Sequence, residues 1–209
     1  MQHRALISVF ALSLCSLSGV SAESQESENS KVAKWRSVAD EKRRFEVLAP
    51  ATWKGSCFAH KDKSGVDFIA PEKGPLAHAK FQVYAYDDPD ISSKLTVRYW
   101  IGMFTKQLEK GGLRPYRSAE DITVCNSKTL MLFYRQRLKK EVKGEVREFE
   151  VLYWFVPVKI DAGRFVVMNL GAEKRFLEGN EKLARLLFTS VQFKNSDSRG
   201  VNPTENDRE

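Results

Sequence analysis

Residues 130–156 constrain this chain more than any other stretch, because a single hairpin register satisfies both their apolar and their charged side chains. With the turn at Lys143-Gly144, Leu132 faces Phe155, Tyr134 faces Tyr153 and Leu138 faces Phe149. On the other side of the same ribbon Phe133 meets Trp154, Arg137 meets Glu150 and Lys139 meets Glu148. Pairs of this kind stabilise an antiparallel ladder, and a slip of one residue would turn every side chain to the wrong face. Lys140 opposite Arg147 is the like-charged exception. Near the base both faces are apolar, so the sheet is predicted to be covered on both sides there. From Arg135 to Arg147 the ribbon is charged and is predicted to project into solvent.

The rest of the chain supplies partners for that hairpin. Residues 35–39 and 45–48 read as strands about the charged turn 40–43, with Pro50 ending the second and Trp53 in a loop. A second hairpin is predicted from residues 58–60 and 66–69 around the turn-rich Asp62-Lys63-Ser64-Gly65. From 78 to 86 the chain alternates, with Phe81, Val83 and Ala85 on one face and Gln82, Tyr84 and Tyr86 on the other. Val97, Ile101, Phe104 and Leu108, widened by Trp100, form one helical stripe. Ser92 or Ser93 is expected to cap this helix and Gly111-Gly112 to close it, with Asp87, Asp88 and Asp90 before its positive end. No element is predicted between Gly112 and Leu130. After the turn Asp161-Ala162-Gly163, residues 164–170 read as a strand and 173–188 as helix, interrupted at Gly179-Asn180. Residues 191–193 make a short last strand.

The first 22 residues set the expected compartment. Arg4, an apolar run from 5 to 20 and Val20-Ser21-Ala22 read as a cleaved secretory signal. Acylation at Cys15 is disfavoured by the bulky Leu14, and the run is too short for an uncleaved anchor. The expected organisation is signal 1–22, polar linker 23–33, one domain 34–193 and a disordered polar tail 194–209. The mature protein is expected to be periplasmic or extracellular, not integral to a membrane, and away from nucleic acid.

Candidate chemistry is sparse. The net charge of +7 falls to +6 when Arg4 leaves, which suits either an anionic surface or mere solubility. Cys57 and Cys125 remain after cleavage and either pair in an oxidising compartment or stay separate thiols. Only His60 and His78 survive, so Cys57, His60 and His78 are the sole histidine-bearing metal set. On a strand, however, Cys57 and His60 would point to opposite faces. Asp87, Asp88 and Asp90 lack the glycine and terminal glutamate of a calcium loop. No Gly-x-Ser-x-Gly elbow, Walker loop or dinucleotide fingerprint occurs, and no metal or cofactor is expected. The densest basic cluster is the hairpin tip. There Lys140, Lys143 and Arg147 are the candidate contacts for an anionic partner, against the plainer reading of a solvated ribbon balanced by Glu141, Glu145, Glu148 and Glu150.

Several of these pieces in this order resemble the PsbP/Mog/DcrB-like superfamily. The landmarks are Phe45-Glu46-Val47-Leu48-Ala49-Pro50 with Trp53 nearby, the helix from Ser93, the meander 130–170, and Phe188-Thr189-Ser190-Val191-Gln192-Phe193. The resemblance covers residues 34–193 and implies an α+β fold. That fold is an α/β/α sandwich with a central, mainly antiparallel sheet and helices on both faces. It also implies an accessory or binding role rather than catalysis, and it transfers no site residues. The leading expectation is therefore a noncatalytic exported protein that recognises an envelope protein or anionic surface. The alternatives are a carrier of a small apolar ligand, held in a cavity lined by Phe81, Phe104, Phe133 or Trp154, and a hydrolase whose site is not visible in sequence.

Overall fold

The structure is a computed structural model that describes residues 34–60, 63–86, 96–142, 144–161 and 164–194, with Lys140, Val142 and Asp161 described by their backbone alone. The expected signal and linker, Asp87, Asp88, Asp90, Ser92, Ser93 and the residues after 194 lie outside the described residues.

Ten strands and three helices are described. In chain order they are β1 (Trp35–Ala39), β2 (Phe45–Pro50), β3 (Lys54–Ala59), β4 (Lys63–Ile69), β5 (Lys80–Tyr86) and α1 (Val97–Lys110). They continue as β6 (Arg114–Val124), β7 (Ser127–Val142), β8 (Glu145–Asp161), β9 (Arg164–Glu173), α2 (Lys174–Glu178), α3 (Glu181–Thr189) and β10 (Val191–Phe193). Seven strands form one antiparallel sheet in the order β3-β4-β5-β9-β8-β7-β6, and β1-β2-β10 form a second. The large sheet is central and carries helices on both faces, as an α/β/α sandwich requires.

Two separate apolar layers explain that arrangement. On one face Phe81, Val83, Phe133, Trp154, Val156, Met168 and Leu170 pack against the small sheet's Phe45, Val47 and Val191 and against α2 and α3 through Leu177, Leu187 and Phe188. On the other, Trp100 and Phe104 of α1 cover Tyr84, Leu132, Tyr134, Phe155 and Phe165. Strand alternation sends successive residues of β5, β7, β8 and β9 to these two layers. The Phe104 ring lies 4.7 Å from that of Phe155, edge to face. Each fully buried side chain of this size stabilises the fold by roughly 2 kcal/mol.

The predicted register is the one observed. Leu132 pairs with Phe155, and every later pair out to Val142 with Glu145 follows the same frame. The break at Gly179-Asn180 also stands, separating α2 from α3. Other boundaries differ. Helix α1 begins at Val97 with Thr96 as its cap, whose hydroxyl accepts from the Tyr99 amide at 3.0 Å, rather than at Ser92 or Ser93. Lys63, Ser64 and Gly65 lie inside β4 and are not the turn residues they were predicted to be. Asp40 is more than a turn residue. It is 2% exposed, accepts from the amides of Arg44 and Phe45, and binds the Arg44 guanidinium, which reaches on to Ser64 of β4.

Strand β6 has no counterpart in the sequence-based expectation. It is largely exposed, slips register twice between Pro115 and Glu120, and returns through Cys125 and Asn126, both at positive φ (47° and 66°). That is a two-residue hairpin turn written in Cys-Asn rather than the usual Asn-Gly.

Candidate functional site

The feature of this fold that asks for a function is the free end of the β7–β8 hairpin. β6 accompanies β7 only as far as Arg135, and β9 accompanies β8 only from Val151. Six register pairs, from Arg137 with Glu150 to Val142 with Glu145, therefore extend beyond the sheet as a bare two-stranded ribbon. At 3.3 Å per residue this ribbon is about 20 Å long. Each of its strands presents one edge with no partner strand among the described residues.

The two strands carry opposite charge. Along residues 136–142, β7 holds Arg137, Lys139 and Lys140 against Glu141; along 145–150, β8 holds Glu145, Glu148 and Glu150 against Arg147. The pairing of charges differs from the register-based expectation. Glu150 binds Arg135 at 3.3 Å and Lys174 of α2 at 3.1 Å, so it does not neutralise Arg137. The Lys174 ammonium, more than Arg135, holds its carboxyl below the usual range. Arg147 turns to Glu145 at 3.2 Å. Arg137 and Lys139 are exposed and make no ion pair among the described residues. Of the three predicted contacts, Arg147 is thus already engaged, Lys140 is placed only by its backbone opposite Arg147, and Lys143 is outside the described residues.

A groove flanks each edge of the ribbon. Beside β7, where α1 ends and β6 begins, a groove of about 490 Å³ is lined by Lys106, Glu109, Lys110 and Arg114. It adjoins the ribbon because Gln136 of β7 donates to the Gly111 carbonyl at 3.3 Å. The guanidinium of Arg114 donates to the carbonyls of Glu109 and Leu113, and none of the three cations makes an ion pair among the described residues. Beside β8, a groove of about 450 Å³ is lined by Glu148, Phe149, Glu150, Glu173, Lys174, Arg175 and Glu178. There Glu173 is bound by Arg175 at 2.8 Å and Glu178 by Lys174 at 3.9 Å, so most of its charge is met internally.

The other predicted sites do not assemble. Cys57 and Cys125 are free thiols in this structure, the second of the two arrangements the sequence left open. The Cys57 sulfur lies 3.8 Å from the Ala39 carbonyl of β1, and the Cys125 sulfur 2.7 Å from the Val191 carbonyl of β10. Strand β2 stands between β1 and β10, so the thiols border opposite sides of the small sheet. Burial, followed by the charges of Glu41 and Asp40, pushes the Cys57 thiol up, away from a nucleophilic thiolate.

His60 follows β3 and rests against Phe58, whereas His78 precedes β5 and rests against Phe176, so β4 separates them lengthwise. Phe81, Phe133 and Trp154 are buried in one apolar layer and Phe104 in the other. Their rings pack against neighbouring aromatics, with those of Phe133 and Trp154 5.3 Å apart and those of Phe104 and Phe155 4.7 Å apart. Among the described residues no helix is long and apolar enough to cross a membrane.

Comparison with known proteins agrees on architecture. No protein-family model and no curated protein matches the sequence. The cyanobacterial PsbP from Synechocystis sp. PCC 6803 is similar in structure over 81% of this chain and 98% of its own, with a TM-score of 0.51 and 16% identity. The Saccharomyces cerevisiae Ran-binding protein Mog1p aligns over 79% of this chain and 98% of its own, with a TM-score of 0.49 and 10% identity. LpqN of Mycobacterium tuberculosis, a protein involved in cell envelope biogenesis, aligns over 78% and 91%, with a TM-score of 0.45 and 10% identity. The chain has the PsbP/Mog/DcrB-like sandwich fold. At these identities the likeness fixes fold and nothing finer.

Proposed function

We propose that this is a noncatalytic accessory or binding protein, exported to the periplasm or beyond, that works by surface recognition through the β7–β8 ribbon. The observation that carries the reading is the ribbon itself. A hairpin that leaves its sheet for six residue pairs gains no core burial from doing so, yet it holds exposed cations with no ion pair among the described residues. Such a projection reaches another surface without requiring the body of the domain to approach. Export is supported by the leader-like residues 1–22, and the absence of catalysis by the wide separation of the two histidines from each other.

The experiment is affinity capture from an envelope extract, comparing the protein with an Arg137→Glu, Lys139→Glu variant over a range of ionic strength. Loss of specific capture in the variant, and weakening with salt for the unaltered protein, are the expected results. Capture that neither the variant nor salt changes would reject the ribbon as the recognition surface.

A further inference from the structure

The electrical asymmetry of the ribbon narrows what its partner can be. The outer edge of β7 is a strand edge about 20 Å long, with every second residue directing its N–H and C=O outward. At its base the α1 side holds Lys106 and Lys110, with Arg114 beside them, whereas its own Arg137 and Lys139 follow Phe133 and Arg135 on the opposite face. All five cations lack an ion pair among the described residues. We propose that an extended acidic polypeptide segment adds to this edge as a further strand, with its carboxylates held by these cations. The inference rests on the ribbon being the recognition surface and names the chemistry of what it recognises.

Two features favour a slender acidic strand over a second copy of this chain. Pairing β7 with β7 would bring two ribbon strands of net positive charge together, and like charges close across a ladder are destabilising. Pairing β7 with the acidic β8 of another copy would compete with that strand's own contacts, since Glu150 is held by Arg135 and Lys174. A separate acidic strand meets neither obstacle. It gains main-chain hydrogen bonds from the edge and selectivity from the flanking charges, as strand addition generally does.

The probe is a fluorescent oligoglutamate peptide, whose successive carboxylates reach both faces of the edge, titrated into the full chain at low and moderate salt. Saturable binding is expected, weakened about tenfold when alternate peptide amides are N-methylated, because strand addition needs those donors. A similar loss, about tenfold, is expected for a Lys106→Glu, Lys110→Glu variant, both being exposed surface positions. Equal binding of the N-methylated peptide would overturn strand addition and leave only charge attraction. Binding to phosphatidylglycerol vesicles but not to the peptide would overturn it in favour of a lipid surface. Concentration-dependent self-association that blocks the peptide would overturn it in favour of a second copy. Each of these results leaves the ribbon as the recognition surface, whereas envelope capture indifferent to Arg137 and Lys139 removes that foundation separately.

Discussion

The same chemical change, glycine to alanine, is expected to act with opposite sign at two places, and the pair tests the packing of this fold. Gly65 lies in β4 directly opposite Tyr84 of β5. A Cβ at that position would run into the Val83 carbonyl oxygen and lie 2.6 Å from the Tyr84 Cα and 2.8 Å from its Cβ. These are backbone and near-backbone atoms of a central strand, so no side chain can swing aside. Relief requires β4 and β5 to part locally, which loosens ladder hydrogen bonds above the core residues Val66 and Phe81. Gly65→Ala should therefore cost about 3 kcal/mol, at the upper end of overpacking. For a domain of this size that lowers the melting temperature by roughly 6–12 °C.

Gly102 sits exposed within α1, where an added Cβ would meet nothing within 4 Å, so Gly102→Ala should stabilise by about 0.5–1 kcal/mol through helix propensity. Urea titrations of both variants, fitted with a common slope, give the two values. A neutral or stabilising Gly65→Ala would refute the close approach of β4 to β5.

Further consequences follow from individual contacts. Thr96→Ala removes the hydroxyl that accepts from Tyr99 and should cost about 1 kcal/mol in the same titration. Glu120 is held below its ordinary range first by a hydrogen bond from Arg185 and then by Arg117, so its folded pKa is lower than its unfolded one. Its contribution is present above about pH 4.3 and is lost as pH falls through the folded value. Glu120→Gln should therefore lower stability at neutral pH by at most about 1 kcal/mol, the exposed setting limiting it, with the difference vanishing in acid. Thiol titration of the native protein should find both Cys57 and Cys125 reactive without reductant; a value of zero would restore the bond between them.

What the sequence revealed depends on how many residues voted for each element. The β7–β8 register was legible because apolar and charged pairs agree on one frame along the length of the hairpin. The stripe of α1 and the faces of β5 were legible from repeated spacing alone. Strand β6 was hidden because an exposed edge with two register slips shows no period, and its turn uses Cys125-Asn126. The cap at Thr96 was hidden among several hydroxyl residues that looked equally suitable. The ribbon's projection was readable as charge beyond Arg135, but its internal neutralisation was not. Lys174, distant from Arg135 along the chain, reaches Glu150 only because β9 delivers α2 beside β8. The basic groove went unseen for the same reason: Lys106 and Arg114 line one groove, beside the Gly111 that Gln136 binds, only in three dimensions.

Removing the ribbon tests the central claim most directly. Replacing residues 137–150 with a tight Asn-Gly turn deletes the six protruding pairs while keeping every strand of the large sheet. The expected variant melts cooperatively near the temperature of the intact protein yet retains nothing that the intact protein specifically captures from an envelope extract. A folded variant that still captures them all would contradict recognition through the ribbon.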